Sequence, residues 1–341
     1  MDGIIVWMEI MTERRDIFEY EDELKQGFYL VGLVDILGQK EKLAEVDKIS
    51  VDNPEEFTKQ LIEVWRPIQR LRAVFHETYT SFLDHRKQDA LKESLTGPEK
   101  DIYEYFQSPP EIKFQGFSDT VVFYVDLSND NKCLPITAVL LSLIACSAAI
   151  STLMAMGHSL RGGIDVGRAA KLYKNEIYGP PLVCAHHLES KKAKWPRILI
   201  GAGLIGYLRA ALNTNDSDFS ALEPGQEKLV ANYLSFGSQL KREHPDAFPK
   251  YVNLIRNDAE LCRRLIARDV DQDFMLDYLG EFISTLLSKL PKHDSGKLFQ
   301  MASSFAASER ERFHKLGDDK LYPRYIKLCD YIESRSSFWK T

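Results

Sequence analysis

The feature of this sequence that most restricts its fold is an apolar run at 28–35, which reads FYLVGLVD. Its residues are apolar at consecutive positions, as in a strand that is covered on both faces. Such a strand lies in the interior of a sheet rather than at its surface. The run ends at Asp35, and the segment that follows, ILGQKEKLAEV, has helical composition. We therefore predict a central strand that leads into a helix.

Two further runs predict a β-hairpin. EIKFQGF at 111–117 and TVVFYVDL at 120–127 are rich in β-branched and aromatic residues, and only Ser118 and Asp119 separate them. A connection of two residues is typical of a tight hairpin. Between the first strand and this hairpin, residues 54–95 carry apolar side chains at helical spacing, which predicts one or two long helices.

A helix, a strand, a helix and a strand are predicted after the hairpin, in the segments 135–157, LRGGIDVG, CAHHLESKKAKW and RILIG. The complete order of elements is the split β-α-β arrangement of ferredoxin-like folds. We predict an α+β fold, in which a βαββαβ domain has a central, mostly antiparallel sheet flanked by helices. The predicted divisions are an N-terminal lead-in at 1–27, this domain at 28–204, and a mainly helical C-terminal extension at 205–341.

Charge and composition limit the classes of function. The net charge is −6, whereas a protein that coats DNA or RNA carries a basic excess. Five scattered cysteines, an odd number without metal-type spacing, indicate reduced thiols in a cytoplasmic protein. Residues 135–157 are long and uncharged enough to cross a membrane, but they include five Ser or Thr residues and have no one-sided basic flank. We predict a buried helix there, and neither a nucleic-acid nor a membrane partner.

Asp35 and Asp119 are candidate metal ligands. In a ferredoxin-like sheet the first strand lies beside the hairpin, so the strand end and the hairpin tip can meet. Converging carboxylates repel each other unless cations lie between them, and such hard oxygen ligands suit Mg²⁺ or Mn²⁺. Two such ions can assist phosphoryl transfer. The amides of Leu37, Gly38 and Gln39, at the start of the next helix, can face phosphate oxygens.

Either aspartate alone also has an ordinary explanation. An Asp after a strand is often a helix N-cap, and an Asp in a hairpin turn is common turn chemistry. Their joint position favours a metal site, and it fits any two-metal enzyme with a palm-type sheet.

Four motifs in the same order resemble those of class III nucleotide cyclases. VDILG at 34–38 is similar to the first metal motif of that family. GFSDTVVF at 116–123 is similar to the second, with Ser118 in place of a glycine. LRGGIDVG at 160–167 resembles the Arg-x-Gly-Ile-His-x-Gly strand, with Asp165 in the His place. IYGPPLVCAHHLES at 177–190 resembles the helix that follows.

The resemblance implies roles for single residues on the metal and phosphate side of the site. Asp35 and Asp119 would bind two divalent ions, with the Ile36 carbonyl as a further ligand. Arg161 matches the triphosphate-binding arginine, although a surface arginine at the start of a strand is an equal alternative. The late triphosphate-binding lysine has no clear counterpart, and the candidates, by proximity only, are Lys191, Lys192, Lys194 and Arg197.

The base and ribose side of the site departs from the family pattern. Gln115 and Glu176 fall where adenylate cyclases carry base-selecting residues. His187 falls on the transition-state arginine, although it and His186 can equally be ordinary helix residues. Val183 replaces the asparagine that positions the ribose. In the family the site lies between two chains of a homodimer, so Gln115, Glu176 and His187 would come from the partner of the chain that supplies the metal ligands.

The chain most resembles the pyrimidine cyclases of bacterial Pycsar antiphage systems, whose cyclic UMP or cyclic CMP activates a downstream effector protein. The resemblance implies conversion of UTP to cyclic UMP, with cyclic CMP from CTP as an alternative. A catalytically degenerate, nucleotide-binding regulatory module is a second alternative, favoured by Val183 and His187. The retained aspartate pair favours an enzyme.

Overall fold

The computed structural model describes residues 25–87, 111–117, 119–127, 135–172, 176–212, 242, 248–288 and 294–339. The predicted lead-in up to residue 24, and Ser118, lie outside the described residues. The first elements are β1 (Lys25–Ile36), α1 (Gln39–Val46), α2 (Pro54–Lys87), β2 (Ile112–Phe117), β3 (Thr120–Asp126) and α3 (Pro135–Ala155). They are followed by β4 (Leu160–Lys171), β5 (Ile177–Tyr178), α4 (Pro180–His187), a π-helical turn (Leu188–Lys192), β6 (Ile198–Ile200) and α5 (Ala202–Leu212).

The remaining described elements belong to the C-terminal part of the chain. They are α6 (Phe248–Arg264), β7 (Ile266–Arg268), β8 (Phe274–Leu276), α7 (Glu281–Ser288), α8 (Ser295–Lys315), α9 (Tyr322–Arg335) and a 3₁₀ turn (Ser336–Trp339).

A central mixed sheet organises the fold, with helices on its faces. Its strand order is β2-β3-β1-β4-β6-β8-β7, and β5 pairs with the end of β4. All of these pairings are antiparallel except that of β4 with β6. β1 lies between the hairpin strand β3 and β4, so the predicted interior position of the first strand is confirmed.

The side chains of β1 explain this position. Nine consecutive residues, Phe28–Ile36, are buried, and they alternate between the two faces of the sheet. One set enters the main core: Phe28, Leu30, Val34 and Ile36. The opposite set joins a smaller cluster beneath α4: Tyr29, Val31 and Leu33. Asp35 follows in this second set, so it lies on the α4 side of the sheet.

Helix α3 occupies the main core, as the sequence predicts. Among the described residues it is the one helix that is long and apolar enough to cross a membrane, but 94% of its most apolar stretch is buried inside the protein. Its serine hydroxyls donate hydrogen bonds to carbonyls one turn earlier, which satisfies these buried polar groups. The uncharged segment is therefore the core helix around which α2 and α8 pack.

The sheet continues beyond the predicted division at residue 205. β8 pairs with β6 through Met275 and Leu199, and β7 completes a hairpin with β8. The sequence did not reveal these strands because each has only three residues, and they flank the polar run RDVDQD. The predicted division itself falls within α5.

Arg197 connects β6 to the loop of this hairpin. Its guanidinium is buried and forms ion pairs with Asp269, Asp271 and Asp273, and it donates a hydrogen bond to the Lys192 carbonyl. Arg197 is therefore occupied within the protein and is not available for a triphosphate.

Replacing Arg197 with Met should lower the free energy of unfolding by about 3–5 kcal/mol, because it leaves the buried Asp269 without its cation. Lys194→Met, at an exposed position nearby, is the matched control and should change it little. The measurement is urea unfolding, in which the slope of the unfolding free energy against urea concentration should be the same for all proteins. Equal midpoints for the two variants would show that the ion pairs do not stabilise the fold.

Candidate active site

Asp35 and Asp119 lie side by side at one edge of the sheet. The register places Asp35 opposite Thr120 of β3, the residue that follows Asp119. The carbonyl of Asp119 accepts a hydrogen bond of 3.3 Å from the Ile36 amide. The end of β1 and the tip of the hairpin are therefore neighbours, as the sequence predicts. Asp35 is buried, whereas Asp119 is partly exposed.

The two aspartates also interact electrostatically. Burial raises the pKa of Asp35, the nearby Arg161 charge lowers it, and the Asp119 charge raises it again, so the net direction is upward. The negative charge of Asp119 thus disfavours ionisation of Asp35. A cation placed between them would remove this repulsion, because it stabilises both carboxylates.

Asp35 is not a helix N-cap, which was its ordinary explanation. Helix α1 begins at Gln39, and its N-cap is Gly38, with no side-chain capping hydrogen bond. Gly38 has a φ of +82°, a left-handed conformation that favours glycine, and its Cβ position has no neighbouring atom within 4 Å. The backbone of this turn is therefore open to a ligand at Gly38.

The Leu37 amide differs from the prediction. It donates a hydrogen bond of 2.9 Å to the Ser159 carbonyl, so it is already used and does not face a phosphate. Ser159 lies directly before β4, and this bond ties the turn after β1 to the start of that strand. Of the three turn amides predicted to face phosphate oxygens, that of Leu37 is therefore excluded, and the roles of the Gly38 and Gln39 amides stay predictions.

Arg161 lies opposite Asp35 on β4. Its Nε donates a hydrogen bond of 3.1 Å to Asp35 Oδ2, and the same Nε lies 2.7 Å from Glu189 Oε1. Arg161 is therefore not an ordinary surface arginine at a strand end. It is the cation between two buried carboxylates, one of them a predicted metal ligand.

Sequence reasoning gave Glu189 no role, although it belongs to the motif at 177–190 that resembles the family helix. Its position depends on Gly163 of β4. A Cβ at Gly163 would lie 2.5 Å from the Ala185 carbonyl oxygen and 2.6 Å from Leu188 Cβ, so α4 lies directly on the strand. The π-helical turn that follows carries Glu189 inward, where it is buried. Such π segments frequently occur at functional sites.

Glu176 lies far from Asp35 within one chain. Its carbonyl accepts a hydrogen bond from the Leu172 amide. Leu172 follows the last residue of β4, whereas Arg161 lies near the first residue of that strand. Eleven residues of extended strand separate Arg161 from Leu172, a distance of roughly 35 Å. Glu176 and Asp35 can therefore contribute to one site only if they come from two chains.

Gln115 and His187 lie nearer to the carboxylates. Gln115 of β2 pairs with Val122 of β3, which pairs with Leu33 of β1. Gln115 is therefore two strands away from β1, level with the residue two positions before Asp35. His187 is exposed at the end of α4, two residues before Glu189. Its imidazole is accessible to a second chain.

Asp165, in the place of the family histidine, supports the fold. It is buried, and its Oδ1 accepts hydrogen bonds from the amides of Val166 and Leu204, at 2.9 and 2.8 Å. The Leu204 bond fixes the first turn of α5. Gly201 and Gly203 pack against the carboxylate, where a Cβ would lie 2.3 to 2.7 Å from its atoms.

The oxygen atoms of Asp35, Asp119 and the Ile36 carbonyl are of the type that binds hard divalent ions. Within the described part of the chain, no group of three or more His, Cys, Asp or Glu side chains is arranged to hold a metal ion. Asp35 and Asp119 supply two carboxylates, and further oxygen ligands would come from the Ile36 carbonyl and the substrate phosphates. Mg²⁺ is commonly held in this way, by one or two carboxylates together with phosphates.

No protein-family model, curated protein or solved structure matches this chain.

Asp165 gives a pH-dependent prediction. Burial raises its pKa from the ordinary value of 3.8 to about 6, although the backbone hydrogen bonds lower it in part. Because the pKa is higher in the folded state than in the unfolded state, folding favours the protonated form of Asp165. The stability that this form contributes is complete below pH 4 and is lost as the pH rises through 6. Between pH 4 and pH 7 the stability of Asp165→Asn relative to wild type should rise by roughly 3 kcal/mol.

Urea unfolding of both proteins at several pH values measures this difference. The asparagine keeps an oxygen that can accept the two amide bonds, so the comparison isolates the charge. A stability difference that stays constant between pH 4 and pH 7 would contradict the assigned pKa.

Proposed function

We propose that this protein is a nucleotide cyclase that converts a nucleoside triphosphate to its 3′,5′-cyclic monophosphate and pyrophosphate. The observation that carries the proposal is the joint position of Asp35, Asp119 and Arg161 on three neighbouring elements at one sheet edge. The antiparallel order β2-β3-β1-β4 adds support, because it is the strand order of a ferredoxin-like βαββαβ unit. A class III cyclase domain is built on such a sheet.

In the proposed reaction the ribose 3′-oxygen attacks the α-phosphorus in line, and the bond to pyrophosphate breaks as the 3′-proton passes to solvent. Asp35 and Asp119 would hold two Mg²⁺ or Mn²⁺ ions, which would supply Lewis-acid activation and charge neutralisation when bound. Arg161 and the Gly38 amide bind the triphosphate. No covalent enzyme intermediate forms, so positioning and electrostatic stabilisation are the protein's contributions.

The active enzyme is proposed to be a homodimer with shared sites. The separation of Glu176 from Asp35 within one chain supports this proposal, since both are assigned to one site. The exposed surface beside His187 and Glu176 is partly apolar: Val183 is 64% and Tyr178 69% exposed. A partner chain that covers this surface would bring Gln115, Glu176 and His187 to the neighbouring metal ligands.

The proposed substrate is UTP, and the proposed product is cyclic UMP. The Glu176 carboxylate can accept a hydrogen bond from uracil N3–H, and the Gln115 amide can donate to a ring carbonyl. CTP is the alternative base. The sequence resemblance extends the proposal to antiphage defence in the cytoplasm, where the product would activate a separate effector protein.

A nucleotide-binding module without turnover is the second candidate function. The observation that favours it is the Arg161–Asp35 hydrogen bond, because an arginine here occupies an oxygen that an active enzyme needs for its metal.

Incubation with each of the four ribonucleoside triphosphates and Mn²⁺, followed by mass spectrometry, should give a cyclic pyrimidine monophosphate from wild type. Asp35→Asn and Asp119→Asn should each lower the rate by about 10³-fold or more, since each weakens the charge stabilisation of the transition state. Asp126→Asn, on the same strand pair but paired with Lys25 at the opposite end, is the matched control. Binding without product would favour the regulatory module, and a linear or two-base product would favour another palm-type enzyme.

Mixing Asp119→Ala with Glu176→Lys tests whether the site is shared. Each variant should be inactive alone, because each damages both sites of its homodimer. Random exchange forms heterodimers with one undamaged site, which should restore about a quarter of wild-type activity. Light scattering must show that both variants are dimers. Dimers that exchange subunits without any rescue would argue against a site between two chains.

A further inference from the structure

The contact of Arg161 with two carboxylates has an unusual feature. Arginine Nε carries a single hydrogen, and here it is donated to Asp35 Oδ2. Glu189 Oε1 lies closer to the same Nε, at 2.7 Å, yet it has no hydrogen-bond partner among the described residues. One Nε–H donor therefore lies between two carboxylate acceptors, and Glu189 Oε1 is paired with the Arg161 charge without accepting a well-aligned hydrogen bond.

The two carboxylates are shielded from water, and the arginine is partly buried. The exposed fraction of the side chain is 11% for Asp35, 7% for Glu189 and 28% for Arg161. A buried acceptor without a partner is costly, and this cost is removed if the donor turns toward it. The positions of the three side chains thus allow two arrangements of similar geometry, which differ in the carboxylate that receives the Nε–H bond.

Metal binding would select between these two states. A divalent ion needs the lone pairs of Asp35, and the Nε–H bond now occupies one of its oxygens. A guanidinium that stayed on Asp35 would also lie beside the metal cation and repel it. An alternative anionic acceptor close by lets Arg161 leave Asp35 without becoming an unpaired, partly buried charge.

We propose that Glu189 is a positioning residue that receives the Arg161 Nε–H bond when a divalent ion occupies Asp35. Without metal, Arg161 closes the site by bonding to Asp35. With metal, the Arg161 Nε–H bond passes to Glu189, and the other N–H groups of Arg161 are held toward the triphosphate. This inference rests on the proposed metal-binding role of Asp35, and it adds a residue and a resting state to the proposed reaction.

The proposal is tested by Mn²⁺ binding to the nucleotide-free protein, measured by calorimetry and by electron paramagnetic resonance of free Mn²⁺. Arg161→Gln should bind Mn²⁺ about tenfold more tightly, because a competing charge-assisted hydrogen bond is lost. Glu189→Gln should bind it about tenfold more weakly, since Arg161 then has only Asp35 as an anionic partner. Glu311→Gln, on exposed α8, is the control and should bind as wild type does.

The double variant separates this role from a direct effect of the Glu189 charge. In the Arg161→Gln background, Glu189→Gln should change Mn²⁺ affinity less than about threefold, because the residue through which it acts is gone. An undiminished effect would show that Glu189 binds or attracts the metal by itself, and the proposal would fail. It would also fail if Arg161→Gln left the affinity unchanged.

Glu189→Asp keeps the negative charge but places it farther from Arg161, because the aspartate side chain is shorter. This variant tests the same role if Glu189→Gln does not fold. It should bind Mn²⁺ about as weakly as Glu189→Gln, and wild-type affinity would contradict a positional role. Product formation by wild type is measured separately. If the protein forms the cyclic product but these substitutions leave its Mn²⁺ affinity unchanged, only the exchange of Arg161 between the carboxylates is refuted. If the affinity changes as expected but no product forms, only the proposed cyclase activity is refuted.

Discussion

The pairing of β1 between β3 and β4 is the constraint on which the rest of this structure depends. The run Phe28–Ile36 is apolar on both sides, so it is stable only where the sheet is covered on both faces. That position places the one charged residue of the run, Asp35, between Thr120 and Arg161. The burial that stabilises the sheet thus also forces a carboxylate into a crowded polar edge, where it must be paired.

The resulting site has more anionic than cationic groups. Asp35 and Glu189 both contact Arg161, and Asp119 lies beside Asp35. Burial raises the pKa of Asp35 and of Glu189, while the Arg161 charge lowers it in part. An added cation would stabilise such a cluster, and under the proposed function a metal–triphosphate complex would contact both its carboxylates and Arg161. The ordinary explanations of Asp35 and Arg161 do not account for their mutual hydrogen bond.

Much of the fold could be predicted from sequence because its signals are local. The five strands β1, β2, β3, β4 and β6, together with the buried helix α3, follow from runs of apolar or β-branched residues. The adjacency of Asp35 and Asp119 followed from the order of those elements. Glu189 could not be found in this way, because its position depends on the contact of α4 with Gly163 and on a π-helical turn. The β7–β8 hairpin and the role of Arg197 also depend on contacts that are distant in sequence.

The most direct test of the account is the location of Mn²⁺ in a crystal of the protein with a 3′-deoxynucleoside triphosphate, which cannot cyclise. Anomalous diffraction at the manganese edge identifies the ions independently of the side-chain positions. We expect anomalous density between the carboxylates of Asp35 and Asp119, with the triphosphate against Arg161. Manganese bound elsewhere, with these two carboxylates unoccupied, would contradict it.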